Sequence, residues 1–136
     1  MQTATQTAPV SKKSLLAGRI ISALPALALL ADGVGKLVKP AEVVETTVKL
    51  GYSESVILPL GIVLLVCTIL YVAPQTAVLG AILLTGYLGG AVATHTRIGD
   101  PSYKILAPIL VGALAWGGLY LRDARLRDLL PLRKEK

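Results

Sequence analysis

The sequence predicts an all-α integral membrane four-helix bundle, and three observations carry that prediction. Four apolar runs, at about residues 14–38, 56–73, 76–95 and 103–121, are each long enough to cross a bilayer. A hydrocarbon core of roughly 30 Å needs about 20 residues at about 1.5 Å of helix rise each. The chain is 54% hydrophobic and only 16% charged, with a mean hydropathy of +0.67, whereas a soluble domain is about 45–50% apolar and about 25% charged. The runs are also apolar on all sides rather than along one stripe, which suits lipid as the surrounding solvent.

Residues 1–13 are polar, rich in Thr, Gln and Ala, and are expected to form a disordered N-terminal tail ahead of a transmembrane domain at 14–121. Ala26-Leu27-Ala28 has the A-x-A form of a signal-peptide cleavage site, but the apolar run continues through Leu29 and Leu30, and Arg19 interrupts it. A retained first helix with Arg19 snorkelling to the interface is therefore the preferred reading. Only Ile20–Ala31 separate Arg19 from Asp32, or about 18 Å of helix. Either the two charges reach out to opposite interfaces or one of them sits inside the bundle. Asp32 and Lys36 stand one turn apart and can pair on a single face. Gly33 and Gly35 loosen the end of this helix, and Pro40 closes it.

In the connection over residues 39–55, Val43, Val44, Val48 and Leu50 are interleaved with Glu42, Glu45 and Lys49. Two readings stand: a short amphipathic helix on the membrane or capping the bundle, and a plain surface loop. The second run carries Pro59 in its first turn, where proline is tolerated. The very short Pro74-Gln75 turn makes the second and third helices antiparallel neighbours. The third run is glycine-rich and ends in Thr94, His95, Thr96, Arg97 and Asp100. After the fourth, residues 122–136 form a basic tail in which Arg122, Arg125 and Leu126 keep helical spacing, so the last helix is expected to continue into water.

The net charge of +6 is concentrated at that tail, which argues for a juxtamembrane segment and against nucleic acid as a partner. With both termini inside, nine lysines and arginines lie there (Lys12, Lys13, Arg19, Arg122, Arg125, Arg127, Arg133, Lys134, Lys136) against five outside (Lys36, Lys39, Lys49, Arg97, Lys104). The positive-inside rule then places both termini in the cytoplasm, for a multi-pass membrane protein. Tyr52, Tyr71, Tyr103, Trp116 and Tyr120 fall near helix ends, as an aromatic belt requires, and only Tyr87 lies near mid-span. The single cysteine, Cys67, rules out an intrachain disulfide and a CxxC redox pair.

Five residues are candidates for ligand binding or proton handling: Asp32, Lys36, Tyr87, His95 and Arg97. Asp32 qualifies because an acid in a span is expensive, the alternative being an interfacial pair with Lys36. His95 and Arg97 suit a lipid headgroup or a proton at the outer end of the third helix, or a simple interfacial anchor. A metal site is not expected, since no second histidine or cysteine stands near. Tyr87, Thr85 and Cys67 are the polar groups closest to mid-membrane, suited to a small pocket for a lipid or quinone headgroup, against a threonine that bonds only its own helix. Gly86, Gly89 and Gly90 on the third helix, with Ala113 and Gly117 on the fourth, predict close packing of the four helices; dimerisation through the same residues is the alternative.

The run GAILLTGYLGGAVATHTRIGDP at residues 80–101, preceded by LYVAPQTAVL at 70–79, resembles the DoxX-like family of small bacterial four-helix membrane proteins. The piece DGVGKLVKP at residues 32–40 fits the same pattern, and the likeness extends over about Gly18 to Leu121. Relatives often carry a glutamate where this chain has Leu64, so an activity dependent on that acid is not implied here. The family takes its name from a subunit of a thiosulfate:quinone oxidoreductase, and other relatives look like assembly or redox-stress accessory proteins. What the resemblance implies is an accessory or small-molecule/lipid-binding membrane subunit without independent catalysis. The sequence has no haem, flavin or nucleotide motif and offers no catalytic residues of its own; quinone is the one cofactor that the resemblance suggests. The alternatives are a quinone-linked oxidoreductase component and a small proton-coupled transporter. The expected partners are membrane lipids, a redox or other membrane protein, and a second copy of the chain.

Overall fold

A computed structural model describes residues 10–129; the expectations for residues 1–9 and 130–136 lie outside the described residues. Helix α1 runs Lys12–Val38, capped at its start by Ser11, whose side chain accepts from the Ser14 amide at 3.2 Å. Its end is turned by Lys39 in the left-handed conformation (φ 55), whose amide donates to the Gly35 carbonyl. The connection that allowed two readings forms a helix, α2 at Ala41–Lys49, with Glu42 in the first turn and Lys49 in the last, both favourable to the helix dipole. A 3-10 turn at Glu54–Val56 leads into α3, Ile57–Val72. Helix α4 spans Ala77–Arg97, α5 spans Ser102–Arg122, and a short α6 spans Ala124–Leu129.

Among the described residues the fold is all-helical, with four helices long and apolar enough to cross a membrane. Residues such as Leu27 (65% exposed), Ile69 (60%) and Leu110 (61%) point outward along them. A coat of this kind would be an aggregating surface in water and is an ordinary one in hydrocarbon. The four spans form a ring: α1 packs on α3 and α5, α4 packs on the same two, and the diagonal pairs hardly touch. One end of the ring gathers the start of α1, the turn between α3 and α4, and the end of α5; this is the basic end. The other carries α2, the 3-10 turn and the loop from α4 to α5.

Glycines bring the helices together, but not the glycines that the spacing predicts. A Cβ on Gly18 would stand 2.8 Å from the Gly118 carbonyl oxygen, and one on Gly118 would stand 2.7 Å from the Ser22 nitrogen, so α1 and α5 cross backbone on backbone. Gly61 of α3 does the same for α1, where a Cβ would lie 2.7 Å from Lys36 Cβ, and Gly80 of α4 rests against the backbone of Tyr71. By contrast, a Cβ on Gly86, Gly89, Gly90 or Gly117 would meet nothing within 4 Å, and Ala113 is exposed. The expected packing role of these residues is thus taken by single glycines facing each other across different helix pairs, because α4 turns its other face, Ala77, Gly80, Ala81, Leu84 and Leu88, to its neighbours.

The last helix does not continue straight into water. Asp123 leaves helical geometry (φ −123, ψ 108), and its side chain accepts from the Arg125 amide at 2.9 Å to start α6. Helix α6 folds back so that Leu126 is buried and Arg127 donates to the Tyr120 and Leu121 carbonyls at 2.8 and 2.9 Å. These are carbonyls of the last turn of α5, which has no further helical residues to bond them.

Candidate functional site

The ring is filled at the basic end and hollow at the α2 end. Tyr71 is fully buried, its ring under the Arg122 guanidinium at 5.0 Å, and its hydroxyl donates to the Ala115 carbonyl at 2.7 Å across the ring from α3 to α5. With Leu84 and Leu119, which are also buried, it closes the interior below. Above that floor lies a cleft of about 600 Å³, walled by Asp32 and Lys36 of α1, Thr47 of α2 and Leu50 at its end, Leu60 of α3, and Tyr87, Thr94 and His95 of α4. A second lobe of about 560 Å³ shares Asp32, Tyr87, Ala91 and His95 and extends to Lys104 and Pro108 of α5.

Helical spacing explains why α4 supplies most of the polar wall. Tyr87, Ala91, Thr94 and His95 follow at steps of four, three and one, all on one face. Asp32 and Lys36 are paired on α1, with Lys36 Nζ 2.5 Å from Asp32 Oδ1. The two are not equivalent. The Lys36 side chain is only 13% exposed, tucked where Gly61 has no Cβ, while the Asp32 side chain is 50% exposed and opens onto the cleft. His95 Nδ1 lies 2.5 Å from Asp100 Oδ2; that contact fixes the ring and leaves Nε2 as the nitrogen free for another partner. The Thr94 hydroxyl donates to the Gly90 carbonyl at 2.8 Å, so in its 2.8 Å contact with Tyr52 the tyrosine is the donor.

Of the five candidates, Asp32, Lys36, Tyr87 and His95 line the cleft together, and Arg97 does not. Arg97 donates from Nη2 to the Leu50 carbonyl at 2.7 Å, and passes so close to Gly51 that a Cβ there would meet it at 2.8 Å. Cys67 and Thr85 also lie away from the cleft. Cys67 is buried in the core, and Thr85 donates to the Ala81 carbonyl and accepts from Trp116 Nε1, each at 2.7 Å. Residues 85 and 87 of one helix point about 200° apart, so they could not share a wall. Sequence reasoning missed Tyr52 and the α2 threonines; the only signal was the alternation of α2 itself.

Among the described residues no three of His, Cys, Asp and Glu are grouped to hold a metal. Chemically, the site offers hydrogen-bonding groups at the rim of a mainly apolar hollow, an arrangement suited to a polar head and an apolar body. Leu64, where the resemblance expects an acid in relatives, is fully buried in the core and does not reach the cleft. Residues 20–118 match the family model of the DoxX-like family. No match was found among curated proteins or among solved structures.

Proposed function

We propose that this chain, which belongs to the DoxX-like family, is an accessory membrane subunit that binds an amphipathic small molecule in the cleft at its α2 end. The carrying observation is that Asp32, Tyr87 and His95, on two helices that barely touch, converge on one hollow of about 600 Å³. That volume is within the roughly 300–1,000 Å³ of ordinary ligand pockets. In this reading the ligand's polar head lies near Asp32 and His95, its apolar part lies against Leu60 and Tyr87, and α2 covers it. Chemistry, where it occurs, belongs in this reading to the ligand or to a partner membrane protein. A quinone is one ligand of this shape. The basic end faces the cytoplasm, as the excess of Lys and Arg there favours, and the cleft opens near the opposite face of the inner membrane.

Native mass spectrometry of protein extracted with its surrounding lipid tests the binding claim. A small molecule retained at one per chain on the wild type, and weakened by Asp32→Asn, is the expected result. Wild-type protein that retains no ligand, from any of several mild extractions, overturns it.

A further inference from the structure

We infer that the cleft is filled sideways from the bilayer, through a portal at Gly86 and Gly90 of α4, and that its occupant is a single-chain amphiphile with a zwitterionic head. The inference rests on the cleft being a ligand site. Both glycines line the cleft and are exposed, and a Cβ on either would meet nothing within 4 Å. At Gly80 the same helix lies backbone to backbone against Tyr71, yet between Leu88 and Thr94 it has no buried residue at all. Of that unburied stretch, Gly90 and Ala91 line the cleft. Gly86 is nine residues along α4 from Ala77, or about 14 Å into a helix of about 30 Å. At that depth the surroundings are hydrocarbon, so the opening faces acyl chains and not water. It is one helical turn tall, about 6 Å, which admits one chain rather than two.

The head is read from the charges of the two lobes. Asp32, Glu42 and Asp100 stand against Lys36, Lys49 and Lys104. Asp32 is held by Lys36 and Asp100 by His95, and the walls still present Glu42 beside Lys49 and Lys104, which suits a head carrying both signs.

The test uses two probes on purified protein: 1-palmitoyl-lysophosphatidylcholine, and glycerophosphocholine, which has the same head without the chain. Binding of the lysolipid to the wild type is expected, with Gly86→Leu and Gly90→Leu each weakening it about tenfold, the worth of a few buried methylenes. Gly89→Leu, on the same helix but outside the cleft, should leave it unchanged, and alanine at 86 or 90 should give a smaller loss at an unfolding temperature that is unaltered or raised. If glycerophosphocholine binds as tightly and the leucine variants are neutral, the ligand arrives from water; the portal is then wrong while the cleft remains a binding site. Equal binding of the anionic lysophosphatidylglycerol overturns the head assignment. If neither probe binds and native protein retains no ligand, the cleft reading fails as well.

Discussion

Arg97 closes the far end of α2 rather than facing a ligand: its guanidinium donates to the carbonyl oxygen of Leu50 at 2.7 Å. Leu50 is the C-cap of α2, where carbonyls lack helical partners and the dipole favours a cation. The second tether is Tyr52 on Thr94. Helix α2 has little other packing on the spans, so it is a cover held by side chains. Arg97→Met should cost about 1 kcal/mol, the lower range for an exposed charged hydrogen bond. Amide exchange over residues 41–50 should rise about fivefold, with the four spans unaffected. Unchanged exchange in α2 would show that something else holds it.

The two classes of glycine should respond with opposite signs. Gly118→Ala forces a methyl against the Ser22 backbone at 2.7 Å and should destabilise by about 1–3 kcal/mol, as overpacking does. Gly89→Ala meets nothing within 4 Å and should be neutral or stabilising by up to about 1 kcal/mol through helix propensity. Reversible unfolding in mixed micelles measures both, and equal responses would contradict the crossing described for α1 and α5.

Tyr71 separates a hydrogen bond from a packing contribution. Tyr71→Phe removes the donor to the Ala115 carbonyl and keeps the ring beneath Arg122, at a cost of about 1 kcal/mol. Tyr71→Ala removes both the ring and the cation–π contact and should cost about 3–5 kcal/mol. The same unfolding assay reads the difference. If the phenylalanine variant is as damaged as the alanine one, the hydroxyl carries more of the floor of the cleft than its single bond explains.

The spans were legible because hydrocarbon demands long apolar runs, and nothing else in the chain imitates them. The pairing of Asp32 with Lys36 was equally legible, since four residues of helix bring them together. Which partner would be buried was not, because that depends on Gly61 in another helix. The glycine crossings were hidden for the same reason. Gly18 and Gly118 meet only after the chain has crossed the membrane several times, whereas the regular Gly86–Gly90 spacing advertises a contact the bundle does not make. The turn at Asp123 was masked by the helical spacing of Arg122, Arg125 and Leu126, of which Arg122 ends α5 and the other two lie in α6 beyond the break. Tyr52 could not be assigned to the cleft from its position near a helix end, since its partner Thr94 is 42 residues away.

The membrane orientation proposed from the charge distribution can be read by labelling. In a Cys67→Ala background, cysteines at the exposed positions Lys13, Glu45 and Arg125 are offered to a membrane-impermeant maleimide on intact cells and on inverted vesicles. Positions 13 and 125 should label only in inverted vesicles, and position 45 on intact cells. Reaction of 13 and 125 from opposite faces would contradict an even number of crossings, and reversal of all three would place the basic end outside.

The most direct test of the central claim is a crystal structure grown from lipidic mesophase, using protein extracted with its native lipid. The account predicts ordered non-protein density in the hollow bounded by Asp32, Tyr87 and His95, with its tail leaving past Gly86 and Gly90. A hollow collapsed onto Tyr87 by α2, with no space left between α4 and α1, would contradict it.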